Sequence, residues 1–489
     1  MTTRVWQRRE FLWRLSQSTL GTLILAQACD QVIPRHSKST SVLVLGAGLS
    51  GLYTALLLEA QGLSVTVLEA RDRVGGRIHT LTDLPGKPDV GGQIFTEKYH
   101  RLLNLANSLQ VAVEPAKVSE RKILLNIRGQ AVLPQNWATS TANRLTKKEH
   151  SIIPSHLLAH YLHSSKILEN ATAWIKPNHF SLDIPLDKYL RTQGASTEAL
   201  RLISCDSGSR TNSLETTSTL WALRNDLRSK FPSKRLAHVQ GGNSYLPEKM
   251  AASLLSPVQT HKVVQAINSN NVGVEVRCSD GSKYQADYAV VTLPFSVLRR
   301  VNITPPLQSL QAEAVQELPY TAVTQICLKI RAPFWENDGY PPKMWTDSLI
   351  ESILPIRDAS GRLQSLVCWA TGTRAKKLDA LNLDAAKKLV ISELSRIRPA
   401  TKGNVEIERV VSWGNDPFSQ GAYSYFAPGQ IRRFQHQMAK PWQRIHFAGE
   451  HTAIATPGME SALESAERVT QEILERISDD SGLKNRLVY

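Results

Sequence analysis

Short apolar runs near both ends of the chain alternate with longer segments of helical periodicity. Residues 42–45 and 65–68 are apolar runs near the start, and the apolar-rich segment 49–61 lies between them. Residues 445–448 form a similar run, and segment 459–476 follows it with apolar residues at helical spacing. Runs of this length predict buried parallel strands, and the longer segments predict helices. The pattern predicts a strand–helix–strand unit near the start and a strand–helix unit near the end.

The turn after the first predicted strand carries glycines in GxGxxG spacing. Gly46 permits a tight turn, Gly48 lets the backbone approach a pyrophosphate, and Gly51 lets the helix pack closely on the strand. The helix that follows directs its N-terminal N–H groups at the phosphates. Glu69 ends the second strand, where a ribose hydroxyl acceptor belongs. A GxGxxG motif alone is a weak signal, but in this context it predicts a dinucleotide-binding site.

Two further stretches indicate the class of cofactor. ARDRVGGR follows Glu69 and includes Arg71, Gly76 and Arg77, while FAGEHTA precedes the closing helix. Together they resemble the flavin amine oxidase family, in which the first stretch lines the phosphates and the flavin edge. A basic surface loop is the alternative interpretation of that stretch.

The resemblance covers about residues 41–476 and implies noncovalently bound FAD. No covalent link is expected because Ala422 stands where monoamine oxidases have a flavin-linking cysteine. The backbone of Val263 would contact the adenosine side, and the backbone of Met459 would meet the flavin ring. The implied FAD contacts come from both ends and the middle of the chain: Gly46, Gly48, Gly51, Glu69, Arg71, Gly76, Arg77, Val263, Gly449, Glu450, Thr452 and Met459.

The region between the two ends predicts a second domain. A chain of 489 residues with 42% hydrophobic content can hold two or more domains. Residues 111–235 read as mostly helical, and residues 302–430 contain alternating apolar runs typical of strands. We predict an α/β fold in which a Rossmann-like FAD-binding domain is interleaved with a substrate domain of mixed sheet plus helices. The FAD-binding domain would comprise residues 41–110, 236–301 and 431–478, and the substrate domain residues 111–235 and 302–430.

In the family that the chain resembles, the flavin takes a hydride from an amine-bearing carbon, and oxygen then reoxidises it to give hydrogen peroxide. The implied partners are a small amine or amino acid and oxygen. Gln325, in VTQICLKI, occupies the place of a lysine that holds a water near the flavin in many members. Tyr423 matches a substrate-contacting aromatic, with a place in the sheet packing as the alternative. Gln325 and Tyr423 are therefore the candidate catalytic residues.

Within the family, KIRAPFWENDG and GEHTA most resemble bacterial L-amino-acid oxidases. This implies oxidation of L-amino acids, with basic ones as an option, to a 2-oxo acid, ammonia and hydrogen peroxide. Ile94 stands where venom-type enzymes have a carboxylate-binding arginine, which leaves Arg210 or Arg224 as substitutes. Pro457-Gly458 also replaces a second cage aromatic. A polyamine or monoamine oxidase is the first alternative; a prenyl-lipid desaturase or isomerase and a non-catalytic flavin-binding protein are the others.

Residues 1–28 predict a targeting segment. The pair Arg8-Arg9 precedes a modestly apolar stretch that ends at Ala28, which resembles a twin-arginine export signal and implies a periplasmic location. The stretch is too short for a stable membrane span, so no transmembrane segment is expected after signal removal. Lipid anchoring at Cys29 and an amphipathic N-terminal helix are the alternatives.

The composition and charge of the chain do not indicate a nucleic-acid or metal partner. The net charge of +15 favours anionic surfaces, but no compact basic run or recognition helix indicates nucleic-acid binding. The five cysteines are widely scattered and show no metal-ligand spacing, so no metal site is expected. The sequence leaves the oligomeric state open, with a homodimer as one option.

Overall fold

The computed structural model describes residues 39–116, 122–162, 164–205, 212–229, 236–358, 360–456 and 458–480. The predicted targeting segment 1–28, together with Cys29, Arg210 and Pro457, lies outside these described residues. Within the described ranges, no helix is both long and apolar enough to cross a membrane. The four described cysteines are free and buried.

The strands, in chain order, are β1 Ser41–Leu45, β2 Ser64–Leu68, β3 Phe95–Thr96, β4 Val113–Pro115, β5 Leu124–Ile127, β6 Gln130–Val132, β7 Leu236–Val239, β8 Val264–Ser269, β9 Val274–Cys278, β10 Lys283–Ala286, β11 Tyr288–Val291, β12 Asn302–Thr304, β13 Val323–Ile330, β14 Met344–Thr346, β15 Ser352–Arg357, β16 Leu363–Thr371, β17 Val405–Ser412 and β18 Ile445–Phe447. The helices are α1 Leu49–Ala60, α2 His100–Ser108, α3 Leu157–Leu162, α4 Ser164–Ile167, α5 Leu186–Thr192, α6 Thr197–Ile203, α7 Thr219–Ser229, α8 Tyr245–Ala252, α9 Phe295–Leu298, α10 Ser309–Glu317, α11 Phe334–Asp338, α12 Gly372–Asp379, α13 Leu383–Ile397, α14 Gln430–Phe434 and α15 Gly458–Asp480.

A four-stranded parallel sheet joins the two ends of the chain in the order β18-β11-β1-β2. The central strands are almost fully buried, as expected where both faces of a parallel sheet are covered. Because the strands are parallel, the turn after β1 and the loop after β18 lie at the same edge of the sheet. This arrangement confirms the predicted α/β class and brings the two sequence landmarks together.

A seven-stranded mixed sheet runs in the order β17-β13-β16-β15-β14-β5-β6. Strands β5 and β6 come from the first predicted insertion, which also supplies α3 to α7, so this segment is helical with three added strands when β4 is included. The strand β4, also from that insertion, pairs instead with β7 in a small three-stranded sheet. Alternation of apolar and polar residues could not reveal these short strands, because each is only three or four residues long.

The two faces of the seven-stranded sheet have different neighbours. On one face, Ile326 and Cys368 belong to an apolar cluster with Val390 and Leu394 of α13. On the other face, Cys327 and its strand partner Val367 pack with Leu81 and Val90, which follow the glycine-rich start of the cofactor domain. The second face therefore looks toward the cofactor domain, and it carries the residues of interest below.

Candidate active site

The glycine turn after β1 leaves room in front of α1. Gly46 has a φ of +106°, which glycine adopts without strain. A Cβ atom at Gly51 would lie 1.9 Å from the carbonyl oxygen of Gly46, so this position admits only glycine. A Cβ atom at Gly48, by contrast, would meet no protein atom within 4 Å. The described first turn of α1 contains no acidic side chain and no side-chain cap, so its N–H groups face this open space.

Glu69 ties this turn to the stretch that follows β2. Its two carboxylate oxygens accept hydrogen bonds from the backbone N–H of Ala47 at 2.8 Å and of Arg71 at 2.9 Å. The N–H of Gly75 donates to the carbonyl of Ala47 at 2.8 Å. Gly76 lies against Gly48, since a Cβ atom at Gly76 would be 3.4 Å from the Cα atom of Gly48. The turn and the ARDRVGGR stretch thus form one continuous wall.

The two ends of the chain meet through side chains as well as strands. The guanidinium Nη1 of Arg77 lies 3.0 Å from Oε1 of Glu450 and also donates to the carbonyl of Ala422. The hydroxyls of Ser50 and Ser465 are 2.9 Å apart. The Ser465 hydroxyl also accepts a hydrogen bond from the N–H of Gly449. The predicted residues from both ends are therefore neighbours.

Glu450 is held as a charged group in a partly buried position. Both of its carboxylate oxygens accept hydrogen bonds from Ser424, one from the N–H and one from the hydroxyl. Burial alone would raise the pKa of Glu450, but the charge of Arg77 and these hydrogen bonds hold it below its ordinary value. The ion pair adds no net charge to the site.

Four other residues predicted to contact the cofactor have the following neighbours. Val263 lies one residue before β8, and the N–H of the preceding residue bonds to the carbonyl of Glu69. The hydroxyl of Thr452 donates to the carbonyl of Gly449. Met459 is buried at the start of α15, next to Gly92. The guanidinium of Arg71 turns away to Asp416 and Ser419, at 2.5 and 2.8 Å, so it braces the loop 416–419.

Gln325 lies in a transverse row of residues on the sheet face that looks toward the cofactor domain. It pairs directly with Val411 of β17 and Trp369 of β16. Trp369 pairs with Ser352 of β15, which pairs with Trp345 of β14. Directly opposed residues of antiparallel strands point to the same face, so these five side chains form one line, called the Gln325 row below.

The Gln325 row contains polar atoms that are buried without a partner. Both amide atoms of Gln325, and the indole nitrogens of Trp369 and Trp345, find no hydrogen bond among the described residues. Gln325 is fully buried. Buried amides in folded proteins are almost always satisfied, so this row is shaped for polar groups that come from a bound molecule.

Tyr423, Trp413 and His451 differ in their surroundings. Tyr423 is partly buried, and its carbonyl accepts a hydrogen bond from the N–H of Thr321 at the edge of the site. Trp413 is buried and donates its indole N–H to the carbonyl of Val90 at 2.6 Å, a packing role. His451 is buried against Phe295, and burial lowers its pKa to about 4. The imidazole is therefore neutral near pH 7.

Of the two arginines considered as a carboxylate-binding group, Arg224 is described, and it is engaged elsewhere. Ile94 is 44% exposed and apolar. Arg224 is buried between the rings of Trp174 and Trp221, each 4.6 Å from its guanidinium carbon. Its Nη2 donates to three backbone carbonyls of the loop 453–456, and burial lowers its pKa to about 10. Arg224 therefore fixes the loop before α15.

Sequence reasoning missed the two tryptophans of the Gln325 row and the carbonyl-binding role of Arg224. The period-two pattern of SLVCWAT indicates that Trp369 shares a face with Val367, but it does not give the partner strand. Only the register of the sheet aligns Trp369 with Gln325.

The arrangement fits a dinucleotide cofactor. The open space at Gly48, beside the N-terminus of α1, suits a pyrophosphate. The unpartnered amide of Gln325 faces the cofactor domain from the seven-stranded sheet. The open space lies at the carboxyl edge of the parallel sheet, where α/β proteins bind such ligands.

Comparison with known proteins gives the same assignment over most of the chain. Residues 49–474 match the family model described as flavin containing amine oxidoreductase. Flavin-containing amine oxidase B of Homo sapiens is 25% identical over 460 residues, which cover 90% of this chain and 86% of that protein. L-amino acid oxidase bordonein-L of Crotalus durissus terrificus is 24% identical, with 92% of this chain and 89% of that protein covered. The structure of cyclohexylamine oxidase from Brevibacterium oxydans IH-35A superposes with a TM-score of 0.75 at 19% identity, over 90% of this chain and 100% of that one.

Proposed function

Since the chain belongs to the family of flavin-containing amine oxidoreductases, we propose that it is an FAD-dependent oxidase that acts on the amine-bearing carbon of L-amino acids. The cofactor is FAD, and when bound it accepts the hydride that leaves that carbon. The observation that carries the proposal is the buried, unpartnered amide of Gln325 on the face toward the cofactor domain.

The residues of the chain hold the cofactor and position the amine. Gly48 and the N-terminus of α1 receive the pyrophosphate, and Arg77 with Glu450 joins the two ends of the chain beside it. The carboxamide oxygen of Gln325 accepts a hydrogen bond from the substrate amine or from a water next to it. Gln325 is neutral, and burial makes a charged ammonium costly, so the site favours the neutral amine whose lone pair is needed as the hydride leaves.

The products follow from this chemistry. Loss of a hydride and a proton converts the amino acid to an imine, and water hydrolyses the imine to a 2-oxo acid and ammonia. Oxygen takes up the two electrons and becomes hydrogen peroxide. Every electron lost by the substrate is thus accounted for.

A substrate panel with peroxide detection tests the proposal. The purified FAD-loaded protein is assayed with the common L-amino acids, their D enantiomers, putrescine, spermidine and benzylamine. We expect peroxide and one equivalent of 2-oxo acid with L-amino acids and none with D enantiomers. Activity confined to the amines would refute the L-amino-acid assignment and leave the flavin oxidase chemistry intact.

Oxidation of small amines is the second candidate function. It is favoured by the apolar Ile94 at the predicted clamp position and by the engagement of Arg224 with backbone carbonyls. A substrate without a carboxylate would need no carboxylate-binding arginine at either position. The same panel separates the two candidates.

Export through the twin-arginine route is a further part of the proposal. It rests on Arg8, Arg9 and the apolar stretch that follows them. A reporter fused after residue 40 should reach the periplasm, and replacement of both arginines by lysine should keep it in the cytoplasm.

A further inference from the structure

Two tryptophans of the Gln325 row present indole N–H groups that bond to nothing else in the described chain. Trp345 is buried, and the indole nitrogen of each tryptophan is inaccessible to solvent. Two other buried indoles are satisfied: Trp137 donates to the carbonyl of Ile152 at 2.8 Å, and Trp174 to that of Ile454 at 3.0 Å. The indole nitrogen of Trp221 in α7 is also unpartnered, but only Trp345 and Trp369 share one row of one sheet with Gln325.

The row extends from the cofactor domain to the helical insertion. Trp369 packs at the edge of the cluster of Leu81 and Val90 in the cofactor domain. Trp345 belongs to the core that includes the helical insertion. The middle of the row thus lies between the cofactor domain and the helices, beside Gln325.

The chemistry of indole defines what these groups recognise. An indole nitrogen donates one hydrogen bond and accepts none. A buried pair of such donors matches an acceptor-only group, such as a carboxylate, and offers nothing to the distal ammonium of a diamine. A carboxylate accepts several hydrogen bonds and gains most from donors in a water-poor site.

We propose that the indole N–H groups of Trp345 and Trp369 bind the substrate carboxylate, in place of an arginine. The proposal rests on the proposed function and names the chemical class of its substrate: a 2-amino acid rather than a simple amine. The strands β14 and β16, which carry these residues, are separated by β15, so their backbones are about 10 Å apart. In this proposal the carboxylate bridges the two indole N–H groups across that separation. The amine of the same substrate then lies toward Gln325.

Substitution by phenylalanine tests this assignment, because it removes the N–H and keeps an aromatic ring. Trp345→Phe, Trp369→Phe and the double variant are compared with Trp442→Phe, whose indole donates to the carbonyl of Pro305 outside the row. Each variant is assayed with L-leucine and 3-methylbutylamine, and with L-phenylalanine and 2-phenylethylamine. These pairs differ only in the carboxylate.

A second measurement does not depend on turnover. Benzoate, which has no oxidisable amine-bearing carbon, is titrated into the FAD-loaded proteins, and its affinity is read from the change in the flavin spectrum. FAD content and melting temperature are recorded for each variant, so that a variant that misfolds is recognised. A misfolded single variant is replaced by the other single variant in the comparison.

We expect the double variant to lose about ten-fold or more in kcat/KM for the amino acids and in benzoate affinity, with less than a two-fold change for the amines. The Trp442→Phe variant should match the unaltered protein in kcat/KM for the amino acids, in kcat/KM for the amines and in benzoate affinity. Equal losses for amino acids and amines, unchanged benzoate binding, or oxidation of amines alone would overturn the proposal. If no substrate is oxidised while benzoate binding still depends on both tryptophans, the carboxylate site stands and the proposed oxidase function fails.

Discussion

The open space in front of Gly48 predicts that this glycine serves the cofactor and not the fold. Its φ of −77° is ordinary for alanine, and an added Cβ atom meets no protein atom within 4 Å. Gly48→Ala should therefore leave the apoprotein as stable as before, or more stable by about 0.4–1 kcal/mol through a less flexible unfolded chain. The same methyl group would occupy the contact surface of the pyrophosphate. Crowding of this kind costs about 1–3 kcal/mol, which raises the Kd for FAD by roughly 5- to 150-fold.

Gly51→Ala provides the contrast. Its Cβ atom would lie 1.9 Å from the carbonyl oxygen of Gly46, so the turn itself must move. We expect about 3 kcal/mol or more of destabilisation in the apoprotein, with FAD binding lost as a consequence. Urea unfolding of the two apoproteins, and fluorescence titration of each with FAD, measure both effects. Unchanged FAD affinity in Gly48→Ala, or a marked loss of its apoprotein stability, would refute the assignment of the open space to the pyrophosphate.

Three further predictions address the surrounding charges. A double-mutant cycle with Arg77→Gln and Glu450→Gln should give a coupling free energy of about 1–3 kcal/mol in urea unfolding, because the pair is partly buried and hydrogen-bonded. A coupling free energy near zero would show that this ion pair does not stabilise the contact between the two ends of the chain. Arg224→Gln should lower the free energy of unfolding by about 3 kcal/mol, because backbone carbonyls of the loop 453–456 lose charged donors. The same change should lower kcat more than it changes KM. Unaltered stability would contradict the assignment of Arg224 to this loop. Burial raises the pKa of Asp89 from 3.8 to about 6, so its contribution to folding is greatest below about pH 4, declines as the pH rises to 6, and stays lost above that. Asp89→Asn should flatten the stability profile in this window, and an unaltered profile would exclude Asp89 as its source.

The parts of the site that the sequence predicted are those in which short-range patterns determine the geometry. Glycine spacing, a following helix and an acid at the end of β2 define the turn within 30 residues, and the structure brings Gly46, Gly51 and Glu69 together as expected. The closing strand and helix were equally readable, because β18 is buried and α15 keeps one apolar face, with Leu463, Ala466 and other residues at helical spacing.

The parts that the sequence did not predict depend on contacts between distant segments. The Gln325 row requires the register of four adjacent strand pairs, and no local pattern states that Trp369 lies opposite Gln325. Arg224 was a candidate for a substrate carboxylate because it is a cation in the helical insertion, but its backbone-carbonyl partners lie 230 residues away. Arg71 similarly lies in the predicted phosphate-lining stretch, yet its guanidinium binds Asp416. Side-chain direction, rather than position in the chain, decides these roles.

The two ends of the chain are proposed to form one FAD site in which a substrate amine loses a hydride. Anaerobic mixing of the yellow FAD-loaded protein with L-leucine or L-phenylalanine, followed by flavin absorbance, tests it most directly. We expect the flavin to bleach, with one 2-oxo acid formed per FAD, and the colour to return on admission of oxygen with release of peroxide. A purified protein that takes up no FAD, or a bound flavin that no amino acid or amine can bleach, would refute both the FAD site and the oxidase function.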